Sequence, residues 1–267
     1  MEAIGYHLMF RLIDDRVLAP SQGRRRVLAR TTYRLGEKRG LIVFGVADSH
    51  LHVGLRCSRR AAGQFAHDLC CALHFAIEPK QHFNPTRFRT IENQRHLETV
   101  VGYAFRQKRH HGILVDALRD GTSLPELLGL RVLARRSVTT VRELLPRLRR
   151  RDLMEYLGPG ALEPVAELDL SLDPLEDVLD AAAGALGLAS LVGGDRRTRL
   201  GRATLLQVPS SKDLESGVRH ALALTASTTT RLRRMVVPTS LARAVRLQLG
   251  LRRWLREHGR RDEDSLG

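Results

Sequence analysis

Two histidines one residue apart, His50 and His52 in the stretch DSHLHVG, have the types and spacing to do chemistry. On a β-strand, positions i and i+2 point to the same face. Two imidazoles would then leave one rigid strand side by side, which is half of a metal site. Spacing alone is weak, because 11 histidines in 267 residues produce about 0.45 such patterns by chance. The setting strengthens it. In HLHVGLRC, Leu51, Val53, Leu55 and Cys57 fall on one face, and His50, His52, Gly54 and Arg56 on the other. The competing reading is a pair of exposed sheet histidines that bind nothing.

A metal needs a further ligand, and Tyr103 and Gln107 offer a phenol and an amide oxygen four residues apart. In a helix that spacing puts both on one face, with Arg106 and His110 on or near it. The competing reading is a core-facing tyrosine followed by a surface glutamine.

Such groups need elements to position them. Tyr6 to Ile13 reads as a strand, and Ser21 to Lys38 as a helix with Ser21 as its N-cap. LIVFGVA, 41–47, is a continuous apolar run of the kind a central strand shows. The histidine strand follows. Arg59 to Ile77 reads as a helix with Phe65, Leu69, Leu73 and Ala76 on one stripe. A short strand at Arg87 to Ile91 and a helix at Gln94 to His111 complete the series. The order predicts an α+β fold, a ferredoxin-like antiparallel sheet with helices on one face, over residues 1–118. Residues 119–164 read as a helical connector ending in the linker LGPGALEP, and 165–267 as a helical C-terminal domain. Helices are expected there at 173–191, 213–225 and 240–258, the last basic enough to be a DNA-binding candidate.

Composition bounds the partners. The net charge is +15, and all but four of the 44 basic residues are Arg. Arginine binds phosphate in a bidentate manner, so a polyanion is the expected partner. The charge is uneven, since 152–195 holds ten acidic residues and no basic one. No apolar run reaches the ~18 residues of a membrane span, and the N-terminus lacks signal-peptide features. A cytoplasmic protein with no membrane partner is expected, with Cys57, Cys70 and Cys71 as reduced core thiols.

Taken together, these residues resemble a family. An HxH pair on a strand, then a tyrosine about fifty residues later on a helix with a polar group four residues on, is the layout of the single-tyrosine HUH transposases. These are the enzymes of the simplest insertion sequences and the REP-associated tyrosine transposases. GYHLMFRL resembles that family's first strand, and RFRTIENQRHLETVVGYAFRQ its approach to the catalytic helix. The resemblance covers roughly residues 5–115. It implies that Tyr103 attacks single-stranded, hairpin-containing DNA through a 5′-phosphotyrosine, with His50, His52 and Gln107 holding Mg²⁺ or Mn²⁺. DNA would be gripped by Arg24, Arg25, Arg26, Arg59, Arg60, Arg87, Arg89, Arg106, Lys108 and Arg109, and a homodimer is one option for assembly. Two departures stand out: Asp48-Ser49 where the family often has Pro-Asn, and RQKRHHG where it often reads NPVRAG. An inactive DNA-binding relic or regulator is the alternative. ADSHLHVG also resembles the metal motif of amidohydrolases, whose (β/α)₈ barrel requires parallel strands throughout the second half.

Overall fold

A computed structural model describes residues 3–46, 49–77, 79, 81–110, 121–130, 135–148, 152–153, 164–208 and 212–259, with the side chains of 22, 106–110, 135–137, 212 and 258–259 excepted. The elements run β1 (Gly5–Arg11), α1 (Gln22–Gly36), β2 (Leu41–Val46), β3 (His50–Leu55), α2 (Arg59–Ile77), β4 (Arg87–Ile91), α3 (Gln94–His110), α4 (Leu124–Leu128) and α5 (Arg135–Leu144). There follow α6 (Leu175–Ala185), α7 (Arg196–Leu205), α8 (Lys212–Ala221), α9 (Ala226–Arg233) and α10 (Thr239–Gly259). By contact the chain divides into two units, one of 1–127 with 133–156 and one of 128–132 with 157–267. The stretch expected as a connector, 119–164, is therefore shared between them.

The first unit is the α+β fold its sequence order predicts, except that helices cover both faces of the sheet, α1 and α2 on one and α3 on the other. Four antiparallel strands lie in the order β2-β3-β1-β4, so the two central strands are β3 and β1. The antiparallel sheet excludes the parallel barrel of the amidohydrolase reading. Alternation divides the sheet into two faces. Leu8 and Phe10 of β1 join Leu51, Val53 and Leu55 of β3 in a core with Phe65 of α2. On this face lie α1 and α2, which pack on each other. Ser21 caps α1 as expected, accepting from the Arg24 backbone N–H at 3.3 Å, and Ile77 rather than Ala76 ends the buried stripe of α2. The other face carries His7, Met9, His50 and His52, and α3 packs there against β2 and β3.

Gly45 explains how closely α3 can approach. It pairs with His52 across the β2–β3 ladder, and a β-carbon added to it would run into the carbonyl oxygen of Ala104 on α3. The outer edge of β2 is covered by 121–123. There Val46 N–H donates to Gly121 O at 2.8 Å, and Ser123 N–H to Phe44 O at 3.0 Å. Covering an edge strand removes a template for aggregation. The cysteines depart from expectation: Cys57 and Cys70 are half-buried and Cys71 is exposed.

The second unit is helical. Val178, Ala182, Leu205, Val218, Val245 and Leu249 form its core, drawn from α6, α7, α8 and α10. The helix expected at 213–225 ends at Ala221 as α8, and neither α7 nor α9 is announced in the sequence. The charge of α10 also differs from expectation. Arg253 and Arg256 grip the buried carboxylate of Asp173, each at 2.7 Å, and Arg256 also pairs with Asp177. Arg252 lies 3.8 Å from Asp177 and 3.6 Å from Asp180. These arginines serve folding, since a carboxylate buried without partners would cost several kcal/mol, on the order of 3–5. Among the described residues, no helix is long and apolar enough to cross a membrane.

Candidate active site

The histidine pair and the tyrosine come together. On β3, the His50 and His52 rings lie 6.0 Å apart between centroids and only 14° from parallel, as same-face strand neighbours should. Tyr103 reaches His52 from α3, its ring edge-on to that imidazole at 4.9 Å. His52 is 3% exposed and Tyr103 is 47% exposed, so the phenol stands at the mouth and the imidazole at the base.

A third histidine completes the cluster. His7 on β1 shares the face, and its Nε2 lies 3.1 Å from His52 Nδ1, one nitrogen donating and the other accepting. His50 Nδ1 is similarly engaged, 2.9 Å from Ser49 Oγ. With Nδ1 of both rings held by protein groups, Nε2 is the nitrogen each would offer a cation. That division of labour between the two ring nitrogens is the usual arrangement of metal-binding imidazoles. The donor chemistry therefore fits a divalent ion, although among the described residues no group of three or more His, Cys, Asp or Glu is disposed to hold one. Gln107, the expected third ligand, lies one turn beyond Tyr103 on α3, and its side chain is outside the described residues.

A cavity of about 550 Å³ opens here, lined among others by His7, His52, Arg87, Arg89, His96 and Tyr103. Arg87 and Arg89 reach it because they pair with Met9 and His7 across the β1–β4 ladder and share their face. The other expected DNA-binding residues are placed differently. Arg24, Arg25 and Arg26 begin α1, on the opposite side of the sheet. Arg59 also lies there, with its guanidinium 3.7 Å from the Phe88 ring centroid. Arg60 is exposed beside it at the start of α2. The side chains of Arg106, Lys108 and Arg109 lie outside the described residues.

Neither His7 nor His96 stands out in the sequence as a site residue. His96 stands seven residues before Tyr103, two helical turns along the same stripe, so that spacing could have found it. His7 needed the strand pairing, because nothing local connects it to a histidine 45 residues away.

Burial pushes the His7 imidazole down to about 4, and the nearby His96 and Arg89 add to the shift. In the unfolded chain the same group takes its proton near its ordinary value of 6.5. Between those values the unfolded state binds the extra proton, so stability falls as pH is lowered. The contribution is fully present above about pH 6.5 and declines towards about pH 4, by at most about 3 kcal/mol. Guanidinium unfolding of the protein and of His7→Gln across this range should show the steeper loss in the unmodified protein. Parallel curves would refute the assignment.

No family model matches the chain, and no curated protein matches it. Among solved structures, one described as the structure of a REP-associated tyrosine transposase bound to a REP hairpin is similar to it. The TM-score is 0.36 and the identity 15%, covering 42% of this chain and 72% of that one.

Proposed function

We propose that the first unit is a metal-dependent DNA strand transferase that nicks and rejoins single-stranded, hairpin-containing DNA through a 5′-phosphotyrosine on Tyr103. The observation that carries this reading is the meeting of Tyr103 with His52 at 4.9 Å, in a cavity that two arginines also line. A half-exposed phenol beside the buried His52 imidazole, with two arginines lining the same cavity, suits attack on a phosphodiester better than any packing role.

Tyr103 Oη attacks phosphorus, and the bond from phosphorus to the 3′ oxygen breaks. The 5′ side stays on the tyrosine, the 3′ oxygen leaves as a hydroxyl after taking up a proton, and the phenol proton passes to water at the exposed mouth. Attack by another 3′-OH reverses the step, so bond types balance and no external energy source is required. Arg87 and Arg89 present guanidinium forks to the flanking phosphates. His7 is held neutral by burial and accepts the Nδ1–H of His52, which makes Nε2 the ligating nitrogen of that ring. Mg²⁺ or Mn²⁺ bound by His50, His52 and Gln107 would polarise the scissile phosphate. Imidazole ligation makes Mn²⁺ comfortable in such a set.

The test uses the full chain with a panel of end-labelled single-stranded hairpins and Mg²⁺ or Mn²⁺, resolved on a denaturing gel. The expected result is a protein–DNA adduct that carries the 5′ side of the break and does not form when EDTA is present from the start. DNA recovered cut but free of protein would overturn the covalent route. An adduct unaffected by EDTA would overturn the metal requirement.

A further inference from the structure

We infer that α8 and α9 form a helix-turn-helix that reads duplex DNA in the major groove, a second nucleic-acid surface separate from the tyrosine site. The two helices are joined by four residues, Leu222–Thr225, the length such turns have. Ala223 takes a left-handed conformation, φ 48°, and Leu224 N–H donates back to Arg219 O at 2.9 Å, which closes α8. Thr225 then opens α9 as its N-cap, its hydroxyl accepting from the Thr228 backbone N–H at 3.2 Å. Leu224 and Leu232 pack with Ala203 of α7 in a small core of their own. The ion pair of Arg233 with Glu215 ties α9 to α8. The turn is thus fixed by a cap on each side and by apolar residues beneath it.

What α9 turns outward is distinctive. Ser227, Thr230, Arg231 and Arg234 are all exposed. Their spacing of i, i+3, i+4 and i+7 puts them on one stripe, opposite buried Thr229 and Leu232. The helix contains no acidic residue, and Arg219 is exposed at the end of α8. Two hydroxyls followed by two guanidiniums match what base edges offer: arginine pairs bidentately with guanine, and Ser and Thr bond to several bases. An α-helix is roughly 10–12 Å wide, and the B-DNA major groove about 12 Å. The RNA major groove is too deep and narrow to admit side chains, so the chemistry selects duplex DNA.

The experiment selects sequences from a pool of random duplexes of about 30 base pairs with the full chain, then measures binding of the enriched duplex by fluorescence anisotropy. Arg231→Ala and Arg234→Ala should each weaken it about 10- to 100-fold, and one of them should relax preference at a single base pair. Because both residues are exposed, thermal unfolding should be unchanged, and so should adduct formation on single-stranded hairpins. No enrichment of any duplex, equal affinity in the variants, or equal binding to an RNA duplex of the same sequence would each overturn the inference. The outcome is independent of whether Tyr103 reacts.

Discussion

Tyr103→Phe should abolish covalent capture of DNA, by on the order of 10³-fold or more, while folding and DNA affinity stay close to those of the unmodified protein. The substitution removes one hydroxyl and keeps the ring, so the edge-on contact with His52 at 4.9 Å survives. The side chain is 47% exposed, so no core cavity opens. The other described tyrosines are poor substitutes. Tyr6 faces the core on the opposite side of the sheet, and Tyr33 is buried with its hydroxyl donating to Glu126 at 2.6 Å. Denaturing gels with labelled hairpin DNA, beside unfolding curves for both proteins, make the check. An adduct that persists in the variant would remove Tyr103 as nucleophile. A large loss of stability would instead assign the residue a structural role.

Gly45→Ala should cost about 1–3 kcal/mol of stability and reduce adduct formation about 100-fold. The added carbon would meet the backbone carbonyl of Ala104. A flexible side chain could turn aside, but a helix backbone atom can move only if α3 moves with it. Tyr103 is the residue before Ala104, so any shift reaches the phenol directly. Displacement of a reacting group by ~1 Å is enough for a hundredfold loss. Stability and single-turnover adduct formation, measured together, make the test. A variant that cleaves normally would mean that α3 accommodates the methyl group and that its closeness to β2 is immaterial to the chemistry.

Much of the first unit was legible because its signals are local. The apolar run LIVFGVA, the alternation around His50 and His52, and the four-residue step from Tyr103 to Gln107 each report geometry within one element. The relations between elements were not legible. His7 joins the cluster through the β1–β3 register, and the arginines of α1 are separated from the site by the sheet itself. Arg87 and Arg89 line the cavity through their pairing with Met9 and His7, a relation that the sequence of β4 alone does not show. In the second unit the end of α8 at Ala221 was hidden, and so was α9. Helix ends are usually announced by glycine, but here Ala223 takes the left-handed position. Thr225, the cap that begins α9, reads in the sequence as the end of the helix before it. The arginines of α10 misled for a different reason: their partners, Asp173, Asp177 and Asp180, lie some seventy to eighty residues earlier in sequence.

The grip of Arg253 and Arg256 on Asp173 makes the acidic block an internal counterion for the last helix. Ionic strength therefore acts on two kinds of charge. Where exposed arginines such as Arg89 and Arg231 meet phosphates, binding would release counterions condensed on the nucleic acid, and concentrated salt would oppose it. The buried Asp173 pairs are shielded from mobile ions by the surrounding protein and are screened much less. Salt that releases bound DNA should thus leave the helical unit folded, and the formal +15 overstates the charge that a polyanion meets at the C-terminal helix.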